Sequence, residues 1–287
     1  MEKLTFLFFL SFFIIASCTT PTSTTTTTSL PFAVDSIKGT VRNETGEWIG
    51  RIIDYVIPSQ YSDIATKTIT VVLPPNYSQV NQYSTIYMHD GQNAFNYDPY
   101  GHGGWQAHTT INNMVKDNSI DPIVLVCIPN AGSNRSYEYT NQSTGAPHYI
   151  NYIKDRIIPV VEYNYSLVKS KDGRIICGSS YGGVISLFAG WNESDTFGKI
   201  IAMSPSIQVS WITPMVTNNT KPNIKLYIDT GSLEDPYQDT TQFKNTLVQK
   251  GFVENTNLKY VYGIGQDHNE EAWRQRLPAA LYFMVGK

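Results

Sequence analysis

The sequence predicts an α/β fold, a mainly parallel central sheet flanked by helices on both faces, and three observations carry that reading. Short runs rich in Ile, Val, Leu and Tyr alternate with segments of helical spacing, the order expected of strand–helix–strand units. One run, Arg174-Ile175-Ile176-Cys177, leads into Gly178-Ser179-Ser180-Tyr181-Gly182-Gly183 and then into a helix-like apolar stretch containing Val184, Ile185, Leu187 and Phe188. The 287 residues, 41% of them apolar, suffice for one large core without a second domain.

The chain opens on a targeting segment. Over residues 1–18, Lys3 supplies a positive start and Leu4 to Ala16 an apolar stretch short for a membrane span, which reads as an export signal. Two readings of its end stand. Ile15-Ala16-Ser17-Cys18 resembles the lipobox of bacterial lipoproteins, which would place a lipid anchor on Cys18; an ordinary signal with small residues at its cleavage site fits equally. Either way the protein is expected to be exported, secreted or held at the cell surface, with no transmembrane helix in the mature chain. Residues 19–35 begin as a Thr/Ser tract unable to build a core and read as a linker. Residues 36–287 form the folded domain.

Within that domain, Gly50 to Ile57 and Lys67 to Leu73 read as strands, the second closed by Pro74-Pro75. Ser84 to His89 is a third, ending in Asp90-Gly91-Gln92-Asn93. Pro122 to Ile128 is a buried strand, and Tyr149 to Tyr163 has helical spacing in Ile150, Ile153, Ile157, Ile158 and Val161. The strand before Gly178 follows, then Lys199 to Met203, Ile224 to Asp229 and Leu258 to Tyr262. Glu270 to Val285 closes the chain as an amphipathic helix, with Pro278 as a kink site. Sites in such sheets gather at the carboxyl ends of the strands. Here those ends carry Asp90-Gly91-Gln92, Ser180, Asp229 to Asp235, and Gly263 to His268.

A net charge of -3 without a basic block argues against a nucleic-acid partner. Seven Asn-x-Ser/Thr acceptor sites, against about four expected by chance for this composition, tilt towards a secreted glycoprotein. The 19 Tyr and 5 Trp would suit a sugar or aryl substrate.

Gly178-Ser179-Ser180-Tyr181-Gly182 has the Gly-x-Ser-x-Gly form of a nucleophile elbow, in which a strand turns sharply into a helix and lifts the serine hydroxyl clear. Ser180 would be the nucleophile, and the Tyr181 N–H, in the first turn of the helix, would face the developing oxyanion. In the α/β-hydrolase order the acid and then the histidine follow. His268 is the one histidine after Ser180, in a Gly-containing loop between the last strand and the last helix. Glu234 and Asp235, in the turn after Lys225 to Asp229, are both candidates for the acid; Asp229, still within its strand, reads as structural. Gly91-Gln92 is placed to supply the second oxyanion donor. His89-Asp90 lacks further ligands at metal spacing and no His-Glu-x-x-His occurs, so no metal is expected. The chemistry requires no cofactor.

These residues resemble the esterase D-like "putative esterase" family of α/β-hydrolases, the group containing feruloyl and acetylxylan esterases, enterochelin esterases, S-formylglutathione hydrolases and mycolyltransferases. The likeness runs over roughly residues 50–285. It is carried by Leu73-Pro74-Pro75-Asn76-Tyr77, Tyr87-Met88-His89-Asp90-Gly91-Gln92-Asn93, Gly104-Trp105, Arg135 to Thr140, Ile158-Pro159, Ser204-Pro205-Ser206, and His268 to Trp273. The resemblance implies Ser180 and His268 as the reacting pair and the N–H groups of Gln92 and Tyr181 as the oxyanion hole. It places the acid at Glu234, three residues after Gly231, though the family more often has Asp, so Asp235 stays open. Tyr181 stands where the family usually has Met. The family's sheet order would put the Ser84 to His89 strand between those of Cys127 and Cys177. Two strand spacings, about 9.6 Å, exceed disulfide reach, so two free cysteines are expected.

The expected function is an exported serine carboxylic-ester hydrolase working through an acyl-enzyme, with feruloyl or acetyl groups on polysaccharide as the substrate class. The same residues would support acyl transfer to another acceptor, and a non-catalytic surface binding protein on the hydrolase scaffold is the reading from another class.

Overall fold

The computed structural model describes Met1 and residues 33–44, 50–234 and 237–287. The signal, most of the linker, Cys18 and Asp235 lie outside the described residues. Among those described, no helix is long and apolar enough to cross a membrane.

The strands form where β-branched runs can be covered on both faces. They are β1 (Thr40–Glu44), β2 (Arg51–Ile57), β3 (Lys67–Val72), β4 (Ser84–Met88), β5 (Ile123–Cys127), β6 (Arg174–Ser179), β7 (Lys199–Met203), β8 (Lys225–Gly231) and β9 (Leu258–Gly263). Among the described residues they make one sheet in the order β1-β2-β3-β5-β4-β6-β7-β8-β9. The β1–β2, β2–β3 and β3–β5 pairs are antiparallel, and the run from β5 to β9 is parallel. Strand β5 (Ile-Val-Leu-Val-Cys) is buried throughout, as a strand covered on both sides must be.

The helices are α1 (Ala107–Lys116), α2 (Arg135–Thr140), α3 (Gly145–Tyr152), α4 (Ile158–Asn164), α5 (Tyr181–Asn192), α6 (Ile212–Asn218), α7 (Tyr237–Gln249) and α8 (Glu270–Val285). Helices α1 and α8 cover one face: Trp273, Leu277, Leu281 and Met284 of α8 pack with Ile111 and Met114 of α1 over Ile175, Cys177, Ile201 and Met203. Each such side chain contributes about 1.5–3 kcal/mol on full burial. Helix α5 lies on the other face, where Gly190 meets Ile200, the neighbour that points away from Ile201's side of β7.

The predicted strands are all present. Strand β1 was not foreseen: Thr-Val-Arg-Asn-Glu has little apolar content, and Val41 is exposed on this edge strand. The helix expected over Tyr149 to Tyr163 begins earlier, at Gly145, and is divided by a π turn over Ile153–Ile157. Strand β4 runs between β5 and β6 with Met88 in register with Cys127 on one side and Cys177 on the other. Both cysteines are buried free thiols, as the sheet order required.

At the end of β4 a polar network penetrates the core. Lys67 and Glu138 form a fully buried ion pair at 2.8 Å, and His89 Nδ1 lies 2.9 Å from Tyr149 Oη. Burial holds the His89 imidazolium pKa down at about 3, reinforced by the cations Arg135 and Lys67 and opposed by Asp90. The unfolded chain takes a proton at His89 from about pH 6.5 downward while the folded state refuses it until about pH 3. Stability at this residue is therefore lost as pH falls through that window, by up to about 1.4 kcal/mol per pH unit. Urea titrations between about pH 7 and pH 4 should show wild type losing stability faster on acidification than His89→Asn; parallel curves would exclude the effect.

Candidate active site

Strand β6 turns into α5 at Ser180, which adopts φ 56° and ψ −124°, a conformation that L side chains avoid. The turn is possible because Gly178 has no side chain: a Cβ there would stand 2.7 Å from the backbone of Gly182. Ser180 is half-buried at the pocket wall, and its Oγ approaches Ser206 Oγ at 3.3 Å. Tyr181 begins α5, so its N–H is among those a helix leaves without an intrahelical acceptor.

Across the pocket, Asp90, in the left-handed region, opens a tight turn over Gly91–Asn93 that carries Gln92. Gly91 lets this turn press on β5: a Cβ would stand 2.4 Å from the Cys127 carbonyl carbon and the Ile128 nitrogen. The Asp90 carboxylate receives Arg135 in a bidentate pair at 2.6 and 2.9 Å and Asn130 Nδ2 at 2.7 Å. The Gln92 Oε1 accepts the Asn130 N–H at 3.1 Å. Arg135 also sits over the Tyr181 ring, 5.5 Å from its centroid, so one guanidinium braces both segments that offer N–H groups. His89 and Asp90 thus have protein partners of their own.

Glu234 follows β8 and reaches His268, which follows β9, with Oε2 3.0 Å from Nδ1. A carboxylate can only accept here, so Nδ1 carries a proton, and in the neutral imidazole Nε2 then keeps its lone pair. Glu234 Oε1 accepts from the Gly231 N–H at 2.6 Å, Ser204 Oγ at 2.6 Å and Arg276 Nη2 at 3.2 Å. Burial pushes the Glu234 carboxyl up, but the His268 and Ser204 hydrogen bonds outweigh it and hold it below the usual carboxylate range. Arg276 lies 3.0 Å from Asp229 as well. Burial raises the Asp229 pKa, with Arg276 opposing. Asp229 is wholly buried and receives the Ser204 N–H and Tyr227 Oη, the structural part that the sequence suggested.

Ser180, His268, Gln92, Asn93, Trp105, Arg135 and Trp273 line one pocket of about 450 Å³. Trp273 meets the His268 ring edge to face at 5.1 Å. In this conformation Ser180 bonds Ser206 and does not bond His268; such contacts are often long before substrate arrives. Of the sequence candidates, the structure brings Ser180, His268, Glu234, Gln92 and Tyr181 to one rim of the sheet. Asp235 is not among the described residues.

Arg276 escaped the sequence reading. Its signal was there: a cation inside the apolar stripe of Trp273, Leu277, Ala280 and Leu281, which needs a buried anion. Ser204 belonged to a segment carrying the resemblance, but its work as acceptor from Trp273 Nε1 and Arg276 and donor to Glu234 was not visible.

A nine-stranded, mainly parallel sheet with a serine at a strained strand-to-helix turn and a Glu–His pair on the neighbouring strand ends defines an α/β-hydrolase. Residues 65–284 match the sequence profile of the family described as "Putative esterase", most of the chain, and the protein belongs to that family: it is a serine esterase, a carboxylic-ester hydrolase. YbbA, an uncharacterised protein of Bacillus subtilis, is 24% identical over 243 residues, covering 77% of this chain and 93% of its own. Among solved structures a ferulic acid esterase superposes with a TM-score of 0.68 at 16% identity, over 84% of this chain and 99% of that one. FphF, a fluorophosphonate-binding serine hydrolase of Staphylococcus aureus, superposes with a TM-score of 0.60 at 19% identity, over 84% and 100%.

The strain at residue 180 has a measurable consequence. Glycine adopts φ 56° without penalty, so Ser180→Gly should be more stable than Ser180→Ala, which also lacks the hydroxyl, by about 1 kcal/mol. Chemical denaturation of the two variants checks this; equal stability would mean that the turn holds no strain.

Proposed function

We propose that Ser180, His268 and Glu234 act as nucleophile, general base and orienting acid. His268 Nε2 takes the Ser180 proton as Oγ attacks the ester carbonyl, the oxyanion rests on the N–H groups of Gln92 and Tyr181, and the alcohol leaves with the proton from His268. Water then resolves the acyl-enzyme by the same steps in reverse roles. The observation that carries this reading is the Glu234–His268 hydrogen bond at 3.0 Å beside the pocket that Ser180 enters. It fixes the tautomer with a free Nε2, and the low Glu234 pKa keeps the anion that an imidazolium needs.

The substrate class we propose is an acyl group, feruloyl or acetyl, carried on a polysaccharide. Trp105, Trp273 and Tyr100 give the pocket an aromatic lining suited to an aryl acyl group or a sugar face, and the superposition on a ferulic acid esterase agrees. The signal-like residues 1–18 support export to where such polymers are met.

Ser180→Ala should lose hydrolysis of p-nitrophenyl acetate and methyl ferulate by about 10⁴-fold or more in kcat and all labelling by a fluorophosphonate probe, with its circular dichroism unchanged. Glu234→Gln should label about 10²-fold more slowly or worse. A folded Ser180→Ala protein that turns over at the wild-type rate would overturn the assignment. Rapid loss of acyl-enzyme to added sugars rather than water would favour acyl transfer.

A further inference from the structure

We infer that Asp98, His102 and Glu270 form a site for one divalent transition-metal ion, zinc in the first instance, at the edge of the active-site pocket. His102 Nδ1 lies 3.4 Å from Asp98 Oδ1 and 3.5 Å from Glu270 Oε2. Neither contact is a hydrogen bond, since His102 Nδ1 has no hydrogen-bond partner. Both separations match the spacing of about 3.4 Å that two ligands take around a tetrahedral zinc ion with bonds of about 2.0–2.1 Å. One donor atom from each of the three residues lies within 4.8 Å of the others.

Burial points the same way. Asp98 and Glu270 are 3% and 4% exposed, and neither has a lysine or arginine partner among the described residues. A cation between two neighbouring buried carboxylates relieves the cost of burying them charged. The His102 Nδ1 between them is itself buried and accepts or donates no hydrogen bond. An independent feature comes from Asn93, 8% exposed, whose Oδ1 is buried without a partner while its Nδ2 donates to Glu270 Oε1 at 3.0 Å. That amide therefore borders the cluster with a buried oxygen that has no partner.

The donors are fixed beforehand. Asp98 accepts the N–H groups of Tyr100 and Gly104 at 2.8 Å each, and Glu270 is the first residue of α8. Arg274 Nη1 donates to the carbonyl of Gly104 at 2.6 Å, which ties the 98–104 loop to the same helix. One imidazole and two carboxylates, with water in the fourth position, suit zinc or manganese; calcium and magnesium prefer all-oxygen shells. His102 and Glu270 line the pocket, so an ion has a path in. Reading along the chain could not assemble the set, because Asp98 and His102 come from the segment after β4 and Glu270 from the last helix.

Such an ion would join the loop of Asp98 and His102 to Glu270, two residues beyond His268 and already bonded to Asn93. The site stands whether or not the hydrolytic roles are right, and its test reads binding rather than turnover.

The full protein, stripped with EDTA and dialysed, is titrated with ZnCl₂ by isothermal calorimetry. One equivalent should bind, and at about 100 µM Zn²⁺ the thermal midpoint should rise. His102→Ala should bind at least about 10²-fold more weakly, while His148→Ala and Ser180→Ala bind as wild type. X-ray absorption on the zinc-loaded wild type should show a single imidazole with oxygen scatterers at about 2.0 Å. No uptake by the wild type, undiminished uptake by His102→Ala, or a zinc shell with two imidazoles or sulfur would each overturn the site.

Discussion

The acid side of the active site depends on one buried guanidinium. Arg276 reaches from α8 to the ends of β7 and β8 and lies against Asp229, Glu234 and the hydroxyl of Ser204. Removing such a partner leaves unpaired buried charge, which costs about 3–5 kcal/mol. The arrangement also shapes the chemistry. Asp229 and Glu234 together carry one more negative charge than Arg276 can balance, and burial raises the proton affinity of Asp229. On the proposed mechanism His268 gains a proton in each transition state, and that is when the cluster reaches neutrality. A pocket that is most comfortable when the imidazole is charged favours the transition state over the ground state.

The proposed oxyanion side has a separate brace. Gln92 and Tyr181 lie far apart in sequence, yet both answer to Arg135, through Asp90 for one and through ring contact for the other. Donors aimed at a developing charge help only if they need not reorganise when it appears. A bidentate pair with Asp90, together with a Gly91 turn pressed on β5, supplies that rigidity. His89, directly beneath, stays neutral because burial forbids its cation. It therefore adds no charge to compete with the donors above it.

Most of the fold could be read from the chain because its strands are long apolar runs ended by Gly or Pro, and a parallel sheet buried on both faces demands that pattern. The five residues proposed for the chemistry were legible for a related reason: strand ends at the carboxyl edge are the places where a loop can point side chains into one pocket. What stayed hidden has physical causes. Strand β1 is a polar edge held by backbone bonds to β2 and carries almost no periodic signal. The π turn at Ile153–Ile157 keeps the same residues buried as a regular helix would, so spacing could not reveal it. Arg276, Ser204 and Arg135 act across the fold, and only packing brings their partners to them.

The two braces meet through Asn93 and Glu270. Their hydrogen bond joins the residue after Gln92 to the first turn of α8, the helix that also carries Trp273 and Arg276. The turn that carries Gln92 is thereby tied to the helix whose Arg276 bonds Glu234, the partner of His268. Hydrolysis of an ester asks two things at once of such a site, a proton moved at the imidazole and a charge held at the oxygen, and neither is useful without the other. Linking the supports of the proposed base and oxyanion hole by a buried amide–carboxylate contact, rather than leaving each on its own loop, builds their separation into the packed core.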